Sequence, residues 1–77
     1  MKQLLDEALK RFENLKTKAA NLPMRKAEVY NLMATIEDIF NGMREAVKTN
    51  NNKWFHEQLF LVKVLMDGLV IKIHEKP

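Results

Sequence analysis

Apolar residues recur through most of this sequence at alternating spacings of four and three, and this repeat limits what the chain can fold into. A repeat of about 3.5 residues keeps its members on one face of an α-helix, as in coiled coils and antiparallel bundles. The repeating residues are Met1, Leu5, Ala8, Phe12, Leu15, Ala19 and Leu22 in a first segment, Val29, Met33, Ile36, Phe40, Met43 and Val47 in a second, and Phe55, Leu59, Val62, Met66, Leu69 and Ile73 in a third. The sequence therefore predicts an all-α fold, an antiparallel three-helix bundle.

Two short interruptions separate the three segments. Pro23 lies between the first and the second, where it suits the first turn of a helix because its missing N–H has no intrahelical partner to lose. Thr49-Asn50-Asn51-Asn52 lies between the second and the third, and asparagine favours turns and helix N-caps. We therefore expect helices near residues 2–21, 24–49 and 52–74, in a single helical domain that spans residues 1–77.

Residues 59–73 also allow a different fold. Asp67-Gly68 between two apolar runs is a strong signal for a β-hairpin, and the runs are rich in Val and Ile, which favour strands. A two-residue turn would, however, place Lys63 opposite Lys72, and the helical repeat continues through Asp67-Gly68 without losing phase. The sequence favours a helix here, with two helices plus a C-terminal hairpin as the alternative.

Length and composition limit the classes of protein. The chain has 77 residues, 47% of them hydrophobic and 30% charged, which is typical of one folded domain. The absence of cysteine excludes disulfides and thiolate zinc sites, and it fits a cytoplasmic location. Asp6 and Glu7 interrupt the start where a signal peptide needs an apolar run, and charges interrupt residues 59–73, so we expect no membrane association.

No motif in the sequence supports catalysis. His56-Glu57 begins like the H-E-x-x-H motif of zinc proteases, but Phe60 stands where the second histidine is needed. His74 lies eighteen residues further along the chain, about 27 Å away on a straight helix, so the two imidazoles cannot share a metal within one chain. We expect a protein that is not an enzyme, with no cofactor, no metal and no small-molecule substrate.

The third segment carries more apolar residues than one helix face can hold. If it is helical, a second set lies on the side opposite the repeat or on its flanks. This set comprises Trp54, Phe60, Leu61, Val64, Leu65 and Ile71. A helix that is apolar on several faces is normally covered on several faces, and two neighbouring helices cannot easily cover them all. The sequence therefore predicts a partner-binding surface, and with it a small protein–protein interaction module of the adaptor, chaperone or inhibitor type that docks a partner or its own copy, for example as a homodimer.

Basic residues suggest an alternative function. Between residues 10 and 26, six positive charges stand against the single negative charge of Glu13. These basic residues are Lys10, Arg11, Lys16, Lys18, Arg25 and Lys26. Such a cluster could contact phosphates, so the alternative prediction is a nucleic-acid-associated accessory protein. A solvated helix face accounts for the same residues without a ligand.

Overall fold

The computed structural model describes residues 1–23 and 26–75, which form three α-helices with no strand among them. The helices are α1 (Lys2–Ala20), α2 (Ala27–Lys48) and α3 (Asn52–His74). They form a rod of 42 × 16 × 15 Å, and α2 and α3 share the most extensive contact. Because each connection is short, successive helices run antiparallel, as the sequence predicted. No helix among the described residues is long and apolar enough to cross a membrane.

The core is built from the predicted repeat. All six of its members on α3 are buried, as are five on α1 and four on α2. The rings of Phe12 and Phe40 lie 5.4 Å apart between centroids and join α1 to α2 at its centre. On α2 the buried residues differ slightly from those of the predicted repeat. Ala46, which is not in the repeat, is fully buried, whereas Met33 and Val47, which are, are only partly buried. A straight α-helix has 3.6 residues per turn, so a repeat of 3.5 drifts around it and a neighbouring position moves into the core.

α3 continues through Asp67-Gly68, so the hairpin alternative is wrong. No glycine in the described residues has a positive φ, which the predicted two-residue turn would require. Met66 and Leu69, on either side of the dipeptide, are both buried in the core. The helix places the whole α3 repeat on one side, whereas a hairpin would have ended that face halfway along the bundle.

The connection between α2 and α3 is specified by its asparagines. Asn50 has a positive φ of 54° and ends α2. Its N–H donates to Val47 O at 3.2 Å and the N–H of Asn51 donates to Ala46 O at 2.8 Å, which is the Schellman pattern. The side chain of Asn51 then accepts from Trp54 N at 3.1 Å and caps the first turn of α3. Two adjacent residues therefore end one helix and start the next, as the sequence predicted for this segment.

α2 begins later than the sequence predicted. Lys26 has an extended backbone (φ −96°, ψ 116°) and Ala27 is the first helical residue, so a start near residue 24 is wrong and Pro23 lies before the first turn. The side chain of Lys26 reaches the C-terminal end of α3. There its Nζ donates to the carbonyl oxygen of Lys72, at 3.2 Å, and to that of Glu75. A cation at these C-terminal carbonyls stabilises the C-terminus of α3.

Candidate protein-binding surface

One side of α3 exposes most of the large apolar side chains that reach the surface. Phe60 is 67% exposed, Leu61 45%, Val64 51% and Ile71 65%. We call these four residues the outer face. Among the residues that the structure describes, one other large apolar side chain is exposed, Leu4 on α1 at 37%.

The outer face is exposed because of its angular position on the helix. At about 100° per residue, its four members lie within about 60° of Val64, while the buried repeat of α3 is centred on the opposite side. α1 and α2 both pack on that opposite side. α3 is also the most apolar and the least amphipathic of the three helices, as expected of a helix with two apolar sides.

Two members of the predicted surface lie elsewhere. Trp54 and Leu65 are partly buried and pack against the core, on the flank of α3 that faces α2. A Cβ at Gly42 of α2 would lie 3.7 Å from Cζ2 of Trp54, so the indole rests directly against the second helix. The sequence placed both residues between the two sides of α3, but could not show that α2 covers this flank.

Gly68 leaves a depression within the outer face. A Cβ at this position would meet no atom within 4 Å, so no packing contact among the described residues requires a glycine here. A glycine inside a helix costs about 1 kcal/mol relative to alanine. The depression adjoins Val64 along the helix, one turn beyond it.

Charged side chains of both signs border the outer face. Towards α1, Arg11 Nη2 lies 2.7 Å from Asp67 Oδ1 and ties the first helix to the third. Towards α2, Lys72 Nζ lies 3.2 Å from Glu28 Oε2 and 3.4 Å from Glu75 Oε2. The hydrogen bond with Glu28, followed by that with Glu75, raises the pKa of Lys72 above its usual value.

Two further charged residues stand in line with the outer face. Lys53 and Glu57 are exposed, and neither has an ion-pair partner among the described residues. Lys53 precedes Phe60 by seven residues and Glu57 precedes Val64 by seven, so each pair shares a helix side. The sequence interpretation did not include these two residues, although a search for a second seven-residue repeat would have found them.

The described members of the basic cluster do not all lie on one surface. Lys16 turns towards α2, with Nζ 3.1 Å from Glu13 Oε1 and 3.5 Å from Glu37 Oε1, and it lies 5.2 Å from the centroid of the Phe12 ring. The hydrogen bond with Glu13 is the largest cause of its raised pKa, opposed by partial desolvation. This ion pair spans a shallow groove of about 260 Å³ between α1 and α2.

The other described basic residues lie on more than one side of α1 or just before the start of α2. Arg11 turns towards α3 through Asp67, and Lys26 caps the end of α3, as described above. Lys10 and Lys18 are exposed, and Lys10 lies about 180° from the centre of the buried side of α1. Arg25 lies outside the described residues. Nucleic-acid binding stays a prediction from sequence, and the described members of the cluster do not converge on one site.

The described residues contain no group of three or more histidine, cysteine, aspartate or glutamate side chains that could hold a metal ion. His56 and His74 are both exposed on α3. Their spacing of eighteen residues places them about 27 Å apart along the helix, as expected from the sequence.

Comparison with protein families, curated proteins and solved structures finds no match to this chain.

Proposed function

We propose that this protein is a small, non-catalytic protein–protein interaction module that binds an amphipathic α-helix on the outer face of α3. The main support for this proposal is that four large apolar side chains are exposed together on the side of α3 opposite the core. They are Phe60, Leu61, Val64 and Ile71. Adaptor, chaperone and inhibitor roles all use such a surface, and the lack of cysteine is compatible with a cytoplasmic protein.

The shape of the surface supports a helical occupant. From Phe60 to Ile71 the outer face runs about 17 Å along the axis, at 1.5 Å per residue, which is three turns of a helix. The outer face is narrow, because Asp67 borders it on the side towards α1 and Lys72 borders it on the side towards α2. A long, narrow apolar stripe bordered by charges of both signs fits a helix that carries apolar residues at spacings of three and four.

Burial of these side chains supplies the driving force. Removing a large apolar side chain from water contributes about 1.5–3 kcal/mol when burial is complete. Phe60 and Ile71, each about two-thirds exposed, have the most to gain on binding. The ion pairs of the rim would contribute more to orientation than to affinity, because exposed ion pairs contribute only about 0–1 kcal/mol each.

Photo-crosslinking in the native cell tests this proposal. A photoreactive phenylalanine analogue in place of Val64 should give adducts of defined mass, and the attached peptide should carry apolar residues at helical spacing. Leu4, exposed on α1, is the matched control position. The adducts should disappear when Ile71→Lys is added. Adducts that are equally abundant from position 4, or that persist with Ile71→Lys, would show that the outer face is not the binding surface.

A further inference from the structure

Two pairs of residues on the outer side of α3 are spaced symmetrically about Val64. Phe60 precedes Val64 by four residues and Gly68 follows it by four, and both lie within about 40° of it around the helix. Lys53 precedes Val64 by eleven residues and Glu75 follows it by eleven, both within about 20° of it. A twofold axis at Val64, perpendicular to α3, would therefore bring each residue to the level of its counterpart on a second, antiparallel copy.

The shapes of the counterparts match. In this register Phe60, which is 67% exposed, lies at the level of Gly68 of the partner subunit. Gly68 has open space where a Cβ would be, so the partner's α3 backbone can approach a bulky ring there. Around the helix, Phe60 lies to one side of Val64 and Gly68 lies to the other. In an antiparallel pair of helices, residues placed in this way pack side by side across the interface. The contact occurs twice, once on each side of the axis.

The charges match as well. Lys53 lies at the level of the partner's Glu75, and Glu57 lies at the level of the partner's Ile71, one residue before its Lys72. Lys53 and Glu57 have no ion-pair partner in the described part of the chain, so both are available to a second copy. The twofold axis repeats both contacts, and in each of them the partner's residue, Glu75 or Lys72, already has an ion pair within its own copy.

A parallel pair would lack these matches. With both copies of α3 in the same direction and in register, each residue faces its own copy. Lys53 would then face a lysine, while Glu57 and Glu75 would each face a glutamate, and like charges at these positions disfavour the pair. Sliding one copy by a heptad in the antiparallel arrangement would leave Ile71 or Phe60 near or beyond the end of the overlap.

We propose that the outer face binds the same face of a second copy, forming an antiparallel homodimer with its twofold axis at Val64. This inference rests on the proposed function and names its occupant. The interface is one pair of helices about 34 Å long, since α3 has 23 residues. Such an interface is small, so the dimer forms reversibly and depends on protein concentration.

Cysteine crosslinking tests the register directly, because the chain has no cysteine of its own. Val64→Cys lies on the axis and should form a disulfide-linked dimer about tenfold faster than Leu4→Cys, which is exposed on α1, because pairing raises the effective concentration of the two thiols. Lys53→Cys and Glu75→Cys should each dimerise no faster than Leu4→Cys, since their own copies lie about 33 Å apart along the axis. The two proteins mixed should form the mixed disulfide rapidly.

The outcomes separate the arrangements. Rapid self-crosslinking of Lys53→Cys would show a parallel pair and overturn the inference. Equal rates for Val64→Cys and Leu4→Cys would show collision without pairing and overturn it as well. Circular dichroism should show the same helix content for every variant, because each altered side chain is exposed.

Sedimentation equilibrium of the purified, cysteine-free protein provides the second test. The average mass should rise with concentration from 9.1 kDa towards about twice that value. Phe60→Ala should raise the dimer dissociation constant roughly thirtyfold, and Gly68→Ala about tenfold, because its new methyl group occupies the space of the ring. Leu4→Ala should leave the dissociation constant unchanged.

The two proposals can fail separately. A purified protein that remains a monomer at high concentration, combined with cellular adducts of Val64 to a different polypeptide, would overturn the homodimer and leave the interaction module standing. A monomer combined with no adducts specific to Val64 would overturn both. Adducts of Val64 to residues 53–75 of the same chain would support both.

Discussion

The two sides of α3 use the same kinds of residue and have opposite environments. On the inner side, Phe55, Val62 and Leu69 are completely buried, whereas on the outer side Phe60 and Ile71 are about two-thirds exposed. Both sides carry aromatic and β-branched residues within one continuous helix. The difference arises from the two neighbouring helices, which pack against one side of α3 only. The apolar character of a residue on α3 therefore does not show whether it lies in the core. Its position relative to the four-three repeat does show this.

The largest difference is expected when one side chain is shortened on each side of α3. Leu69→Ala should lower the free energy of unfolding by about 2–5 kcal/mol, because it leaves a cavity in the core. Ile71→Ala, two residues along, should change it by no more than about 0.5 kcal/mol. Urea unfolding at low protein concentration measures both. Equal losses would mean that the outer side is covered within the monomer.

Gly68→Ala should change the stability of the monomer and the affinity of the dimer in opposite directions. The monomer should gain about 1 kcal/mol of stability, because alanine has the higher helix propensity and its Cβ meets no other atom. Gly42→Ala is the matched control in α2, where the new Cβ would make ordinary contacts at 3.7 Å. Both variants should unfold at higher urea concentration, but only Gly68→Ala should weaken the dimer. Loss of monomer stability in Gly68→Ala would contradict the open geometry at that position.

The ion pair between Arg11 and Asp67 tests the edge of the outer face that borders α1. Asp67→Asn should lower the free energy of unfolding by about 0.2–1 kcal/mol, because both side chains are largely exposed. The difference from wild type should shrink as salt concentration rises. Glu57→Gln, which removes a carboxylate without a partner among the described residues, should have a smaller effect. A difference that does not depend on salt would argue against an electrostatic origin.

The smallest expected effect concerns Lys72, at the edge that borders α2. Its pKa in the folded protein is raised above the usual 10.5, chiefly by the hydrogen bond with Glu28. The associated stabilisation is therefore fully present below pH 10.5 and is lost as pH rises through the folded-state pKa. Glu28→Gln should reduce this decline in stability at high pH. Thermal unfolding measured from about pH 9 upwards would show it, because that range begins below the usual lysine pKa of 10.5. Glu45→Gln, an exposed position on the same helix, should behave like wild type.

Much of the fold was predictable because its signals are local. The four-three repeat selected every buried residue of α1 and of α3, and four of the five buried residues of α2. Asn50 and Asn51 marked a helix end and a helix start, since an asparagine tolerates a positive φ and its side chain caps a helix. The start of α2 was not predictable in the same way. Lys26 remains extended while its side chain caps the distant end of α3, a contact that no local signal reveals.

The candidate site was predictable only in part. Four of the six proposed residues are exposed together, because a helix fixes which of its residues share a side. Trp54 and Leu65 lie on the flank, where burial depends on how closely α2 approaches. The basic cluster shows the same limit, since Lys16 and Arg11 are near in sequence but turn towards different helices.

The spacing of apolar residues along the chain predicted the first two helices, favoured a third over a hairpin at residues 59–73, and indicated which face of each helix turns inward. Three properties depend on the tertiary structure. They are which flank of α3 is covered by α2, which charged residues form ion pairs, and where the outer face remains exposed. These properties depend on the positions of α1 and α2 around α3. Periodicity within one segment specifies a direction around that helix, but carries no information about what lies in that direction.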